Sequence, residues 1–264
     1  MTNPDVLISL KDLHERAENL ETSDQPLPEL TPVFERFCAL REYWSMGRCG
    51  NNVARVQGSN DNELSQNGTP TMAHDGLVPY VNLTGASHLF HADAAVFDIL
   101  GTEAFTAAGS RGLTLGGWFW LDAVAANYGL VSKWTAAGND MAYLLYFNQA
   151  VPNFEFQTSN TGAAIATTVT STAYTVAIDG WYFVVGRFNP STSTDIHVNG
   201  VWDYNAVAAP AALFNSASEL QVGSYDAGAN ELPGRVSSVF ICAAQLTDQV
   251  INNAFQATRG LYGV

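Results

Sequence analysis

The sequence predicts a mainly β protein, an antiparallel sandwich or closed barrel, with a short helical arm ahead of it. Three observations carry that prediction. Residues Gly180 to Gly200 (GWYFVVGRFNPSTSTDIHVNG) read as antiparallel strands joined by tight turns. Short apolar segments bounded by Gly, Asn or Pro, roughly a dozen in all, follow one another along most of the chain. Residues 1–40 have a different, helical rhythm.

In the first of these stretches, Trp181 to Phe188 is aromatic and β-branched, which suits a pleated strand with a buried face. Asn189-Pro190-Ser191-Thr192-Ser193 breaks the run with turn residues. Ile196 and Val198 then alternate with Asp195 and His197, and Asn199-Gly200 suits the two positive-φ positions of a type I′ turn before Val201-Trp202. No room is left for a crossover helix.

The chain opens differently. Asn3 is a suitable N-cap, Pro4 fits the first helical position, and Asp5 complements the positive end of the helix dipole. Val6, Leu10, Leu13, Ala17 and Leu20 then recur at the alternating four-and-three spacing of a coiled-coil seam, with Lys11, Asp12, Glu15, Arg16 and Glu18 turned outward. These five residues are the candidate attachment or oligomerisation stripe, with a homotrimer the expected assembly. Docking onto the same chain is the plainer alternative. A polar linker with two prolines, Glu21 to Glu29, precedes a second expected helix from Thr31-Pro32 that carries Val33, Phe34, Phe37, Leu40 and Tyr43. The division is therefore residues 1–40, arm and linker, and residues 41–264, the β domain.

From Trp44 onward short strands and turns take over. Asn51 to Thr69, rich in Asn, Gly, Ser and Asp, is expected as a long surface excursion. Leu77 to Leu83 reads as a strand in which Pro79 marks an edge or a bulge. Strands follow from Gly112, Tyr128, Met141, Asn153, Ile165, Glu219 and Gly234, and the last segment, Asp248 to Arg259, looks helical.

Composition narrows the function. With 47% hydrophobic residues and 30 Trp, Tyr and Phe, the chain has the material for a large core. A formal charge of −14 repels nucleic acid and anionic membranes, so neither is an expected partner. No apolar run approaches the roughly 20 residues that cross a bilayer. The acidic N-terminus lacks the basic start and apolar stretch of a secretion signal, so synthesis in the cytoplasm is expected, and the Asn82-Leu-Thr84 glycosylation sequon would then be idle. Cys38, Cys49 and Cys242 are odd in number and lack CxxC spacing, which indicates neither a disulfide framework nor a zinc site.

The order of motifs over about residues 41–264 resembles the laminin-G-like branch of the concanavalin-type jelly rolls. The resemblance rests on Tyr43-Trp44 with the polar run to Gly68, Val81-Asn-Leu-Thr-Gly85, Phe97-Asp98-Ile99, Leu113-Thr-Leu-Gly-Gly-Trp118 and Val131-Ser132-Lys133. It continues through Gly180-Trp-Tyr-Phe-Val-Val185, Val198-Asn199-Gly200, Leu220-Gln-Val-Gly223, Gly234-Arg-Val236 and Leu246-Thr247-Asp248. It implies an antiparallel jelly-roll β-sandwich. A helical arm in front of such a domain is similar to the arrangement of phage virion decoration proteins.

Some members of that superfamily are glycosidases, with carboxylates two to four residues apart on one strand. No Glu-x-Asp-x-Glu or Glu-x-Asp-x-x-Glu occurs here; Glu103, Glu155, Glu219 and Glu231 each stand alone in sequence, and no catalytic residue is assigned. The histidines, His14, His74, His88, His91 and His197, are scattered; His88 and His91 would share a helix face but sit equally well on a strand entering a loop, where they make a surface pair. No metal ligand is assigned, although the resemblance implies that structural calcium at the sandwich rim would draw on oxygen donors of the kind at Asp122, Asn139, Asp140 and Asp226. Sugar binding needs an exposed aromatic platform beside polar groups. Trp134, Trp202, Tyr204 and Tyr225 lie near turns and are the candidates, whereas Trp118 and Trp181 are expected in the core. The expected function is a non-enzymatic component of a virion surface, capsid or tail, with the jelly roll facing outward and able to bind glycans. A free-standing carbohydrate-binding module is the alternative, and a glycoside-active enzyme the third.

Overall fold

The computed structural model describes residues 40–46, 55–56, 58–76, 78–102, 111–205 and 207–264. The expected arm, the linker and most of the second expected helix lie outside them. Where that helix was to end, the chain is already a strand, β1 (Leu40–Ser45), so Leu40 and Tyr43 belong to the sheet.

Sixteen strands are described, paired antiparallel throughout into two sheets of eight. In chain order they are β1, β2 (Arg55–Val56), β3 (Leu64–Asn67), β4 (Thr71–Asp75), β5 (Val78–Thr84), β6 (His88–His91), β7 (Leu113–Leu121) and β8 (Tyr128–Thr135). There follow β9 (Asp140–Asn148), β10 (Asn153–Gly162), β11 (Thr167–Thr170), β12 (Gly180–Asn189), β13 (Ser193–Val198), β14 (Val201–Tyr204), β15 (Leu220–Val222) and β16 (Pro233–Cys242). Sheet A runs β14-β13-β12-β7-β16-β5-β4, and sheet B runs β11-β10-β9-β8-β15-β6-β3-β2. Strand β16 holds β5 along its first half and β1 along its second, both on the side away from β7. The expected surface excursion from Asn51 thus supplies the outermost strands of sheet B.

The hairpins of sheet A follow the turn chemistry. Asn199 and Gly200, with φ of 46° and 92°, close β13 onto β14, and Ser191 at φ 59° closes β12 onto β13. Pro79 falls where the β5–β16 ladder has ended at Val81; instead of a ladder bond, Ser237 donates its hydroxyl to the Pro79 carbonyl at 2.8 Å. Beside it β16 bulges between Val236 and Ser238, so the sequence signal for an irregularity is met in the neighbouring strand.

The core lies between the sheets. Leu113, Leu115, Phe119, Tyr182, Val184 and Phe188 point inward from sheet A and meet Tyr143, Leu145, Phe147, Phe154, Phe156 and Val222 from sheet B. The alternate residues of sheet A, Trp118, Trp181, Phe183, Val185 and Phe240, face outward, yet they too are buried, because helix α1 (Asp248–Thr258) covers them with Val250, Ile251, Ala254 and Phe255. Thr247 caps α1 by accepting from the Val250 amide. This second layer explains why β12 is apolar on both faces rather than alternating. No helix among the described residues is long and apolar enough to cross a membrane.

Candidate functional site

Sheet A places a cross-strand pair of tryptophans at one end of its outer face, at the margin of the cluster that α1 covers. Trp120 on β7 pairs with Trp181 on β12, and the rings meet edge to face with centroids 5.7 Å apart. Tyr262, just after the helix, stacks on Trp118 at 3.8 Å and meets Trp181 edge-on at 5.1 Å. The 171–179 loop brings Tyr174 over from the other side, where it accepts a hydrogen bond from Asn199 Nδ2 (3.0 Å). Asn199 is itself fixed by the Phe183 amide, which donates to its Oδ1 at 2.7 Å. These residues, with Asp179, Gly180, Tyr182, Gly263 and Val264, line a pocket of about 460 Å³, within the range of small-ligand sites.

The polar groups of this pocket differ in freedom. The Tyr182 hydroxyl is committed, donating to the Ala177 carbonyl and accepting from the Ala177 amide, both at 2.8 Å. The Tyr262 hydroxyl is engaged by Ser237 at 2.9 Å. Burial pushes both phenols above their ordinary range, so they stay neutral. Asp179, at φ 59°, is anchored through its amide to the Leu121 carbonyl, and its exposed carboxylate makes no hydrogen bond or ion pair among the described residues. The arrangement is aromatic walls beside a free carboxylate acceptor, suited to stacking a ring and receiving hydroxyl hydrogens.

The four sequence candidates fall into two pairs elsewhere. Trp202 and Tyr204 stack on β14 at 5.8 Å, with the Arg187 guanidinium 4.4 Å from the Trp202 ring and the Tyr204 hydroxyl donating to Asp248 at 3.0 Å. Tyr204 is 57% exposed, as expected, but Trp202 is half-buried against the α1 cluster. Arg187 also binds Asp195, Asp248 and the Leu246 carbonyl, so this group fastens the helix to the sheet. Trp134 and Tyr225 meet on sheet B. Trp134 is only 4% exposed and packs with Met141, Leu144 and Tyr146, which removes it as a platform. Tyr225, half-buried, lies edge-on to Tyr146, whose hydroxyl donates to Glu155 at 2.5 Å; Thr170 supplies Glu155 with a second bond at 3.0 Å.

The acids and histidines also move from their expected places. Glu219 and Glu231, isolated in sequence, converge on His88, with Nδ1 2.9 Å from Glu231 and Nε2 4.0 Å from Glu219. His88 is buried on strand β6, so it is not half of a surface pair with His91. Glu103 lies outside the described residues. Among the described residues no three His, Cys, Asp or Glu side chains are grouped to hold a metal. Of the oxygen donors weighed for calcium, Asp140 is taken by Ala217 and Ser218, Asp226 by the Ala136 amide and Asp122 by the Trp120 indole.

The family described as the concanavalin A-like lectin/glucanases superfamily, Laminin_G_3, matches residues 98–252, more than half of the 264-residue chain. The chain belongs to this superfamily. Among solved structures, this concanavalin-like fold is similar to domain 4 of AbnA, a GH43 extracellular arabinanase from Geobacillus stearothermophilus, in complex with arabinotriose; identity is 13%, the match covers 83% of this chain and 100% of that one, and the TM-score is 0.57. It is also similar to the binding domain of Paraclostridial Mosquitocidal Protein 1 (9% identity, 83% and 52% covered, TM-score 0.61). A third is botulinum neurotoxin type C, whose cell entry depends on interaction with two ganglioside molecules (11%, 87% and 53%, TM-score 0.60). The chain spans about half the length of the two toxin chains. At these identities the likeness establishes the concanavalin-like fold. No curated protein sequence matches.

Sequence reasoning missed Trp120, Tyr174 and Asp179, and it took Trp181 for core alone. Trp181 is indeed 5% exposed, but its edge forms a pocket wall. The available signal was the alternation Trp118-x-Trp120, which puts both rings on one face of β7.

Proposed function

We propose that this chain is a non-catalytic recognition protein whose concanavalin-like domain binds glycans in the Trp120–Trp181 pocket. The observation that carries this reading is an aromatic-walled concavity with a free carboxylate, on the outer face of a fold whose solved neighbours include an arabinotriose complex and a ganglioside-dependent toxin. Trp120 is the residue to test, because it is half-exposed and contributes less to the core than Trp118 or Trp181. Trp120→Ala is expected to lower glycan affinity by about five- to thirtyfold, since stacking one sugar ring contributes on the order of 1–2 kcal/mol. Titration calorimetry against oligosaccharides that the wild type retains on a glycan array measures it. Unchanged affinity would remove the pocket from the mechanism.

A second reading concerns residues 1–40, and the seam of Val6, Leu10, Leu13, Ala17 and Leu20 favours it. In this reading the arm trimerises or docks the domain on a larger assembly, a phage capsid or tail, leaving the glycan pocket outward. The two readings are compatible, and the mass of the particle formed with and without the arm separates an attached protein from a free-standing module.

A further inference from the structure

The pocket carries a charge signature that its aromatic walls alone do not require. Among the described residues its lining contains no Lys, Arg or His. Asp179 stands at it with a free carboxylate, and Asp122 accepts the Trp120 indole N–H at 2.7 Å. Arg235 is the cation that packs on this patch, 4.4 Å from the Trp120 ring, but it is held between Trp120 and Tyr80 and faces Asp75 at 3.8 Å. The carboxylates of Asp179, at the pocket, and of Asp122, on the Trp120 indole, thus stand beside walls whose one stacked guanidinium is already paired with Asp75, in a protein of formal charge −14.

We infer that the pocket selects neutral sugars and rejects acidic ones. The inference rests on the glycan reading above and specifies its ligand. A hexose or pentose hydroxyl donates to the Asp179 carboxylate in a charge-assisted bond, while its apolar ring face lies against the half-exposed Trp120 indole. A sialic acid or uronic acid brings a second carboxylate to the same place, with no cation in the lining to receive it. Like charges a few ångströms apart near a protein surface are enough to weaken binding by about tenfold or more. Because Asp179 is exposed, salt should reduce this discrimination.

The test measures binding of the full chain to a neutral arm (lactose, arabinotriose, cellotriose, maltotriose) and an acidic arm (sialyllactose, digalacturonate), at low and at half-molar salt. The wild type is expected to bind at least one neutral sugar, to bind sialyllactose at least tenfold more weakly than lactose or not at all, and to lose part of that margin in high salt. Asp179→Asn keeps a residue that tolerates φ 59°; it is expected to weaken neutral-sugar binding several-fold and to shrink the margin against the acidic arm. If the acidic arm binds as tightly as the neutral one and Trp120→Ala abolishes both, the glycan reading stands and charge selection is wrong. If neither arm binds, the glycan reading fails and takes this inference with it. If binding is indifferent to Trp120→Ala, the pocket is the wrong place for both.

Discussion

His197 shows what a polar residue costs when an alternating strand is buried on both faces. Its ring lies edge-on to Trp202, Phe183 and Phe255, its Nε2 meets Asn252 at 3.1 Å, and its Nδ1 has no partner. Burial disfavours the imidazolium and lowers the pKa to about 4; Asn252 and Asp248 pull it up, and Arg187 pulls it down. In the unfolded chain the ring titrates near 6.5. Between those values the unfolded state binds a proton that the folded state does not, so stability is full above about pH 6.5 and falls as the pH drops towards 4, by roughly 3 kcal/mol in all. Asp248 acts lower: burial raises its carboxyl, and Arg187 and Tyr204 more than reverse this, leaving it below the usual carboxylate range. Urea unfolding at pH 7.5 and pH 5 should therefore show a drop for the wild type that His197→Gln largely lacks. Equal drops would mean that other groups carry the acid sensitivity.

The same scale shows how much of the candidate site could be read from sequence. Burial of Trp118 and Trp181 followed from their place in long apolar strands, and the exposure of Tyr204 from its place after a hairpin. Trp134 did not follow, because it is buried in a cluster with Met141, Leu144 and Tyr146 of β9, against which Tyr225, 91 positions later, also packs. Nor did Asp179, whose place at the pocket depends on a left-handed backbone beside the end of β7, a property of no local motif.

Among the elements, the motif series proves to be a set of contacts. Asp98, in Phe97-Asp98-Ile99, binds the Lys133 ammonium of Val131-Ser132-Lys133 at 3.1 Å; Asp93 joins at 2.6 Å and the Ser216 and Ser218 carbonyls complete the shell. Thr114, in Leu113-Thr-Leu, donates to the Ala244 carbonyl and accepts from the Leu246 amide, tying β7 to the segment that leads into α1. Such residues are legible because each completes a buried polar group that the fold cannot leave bare. Only the last two positions expected on the second helix are among the described residues, and they depart from it for the converse reason. Leu40 and Tyr43 have helical spacing, but the pairing of β1 with β16, some two hundred positions away, outweighs that local pattern. Gly186 gives the element-scale prediction. It faces inward on β12, and a Cβ placed there would lie 2.6 Å from the Phe156 ring of sheet B. Gly186→Val is expected to destabilise the domain by about 1–3 kcal/mol through overpacking, seen as a lower denaturant midpoint. An unchanged midpoint would mean that the two sheets separate more easily than their packing implies.

At the scale of the whole molecule, sheet A is covered twice, by sheet B within and by α1 without, and the pocket opens where the helix cover ends. Among the described residues, every core cluster of that layering is built from Tyr43 onward. If residues 1–40 serve attachment, a chain lacking residues 1–30 should remain folded, with the same thermal midpoint and the same glycan affinity. It should also lose its oligomeric mass, since a two-heptad seam such as Val6 to Leu20 is stable only when helices share it. Sedimentation equilibrium of both forms checks this directly: a trimer is expected for the full chain and a monomer for the shortened one. A shortened chain that retains the full chain's association would place self-assembly in the sandwich itself. A full chain that is already monomeric, and that fails to join any particle, would leave the domain as a free-standing module.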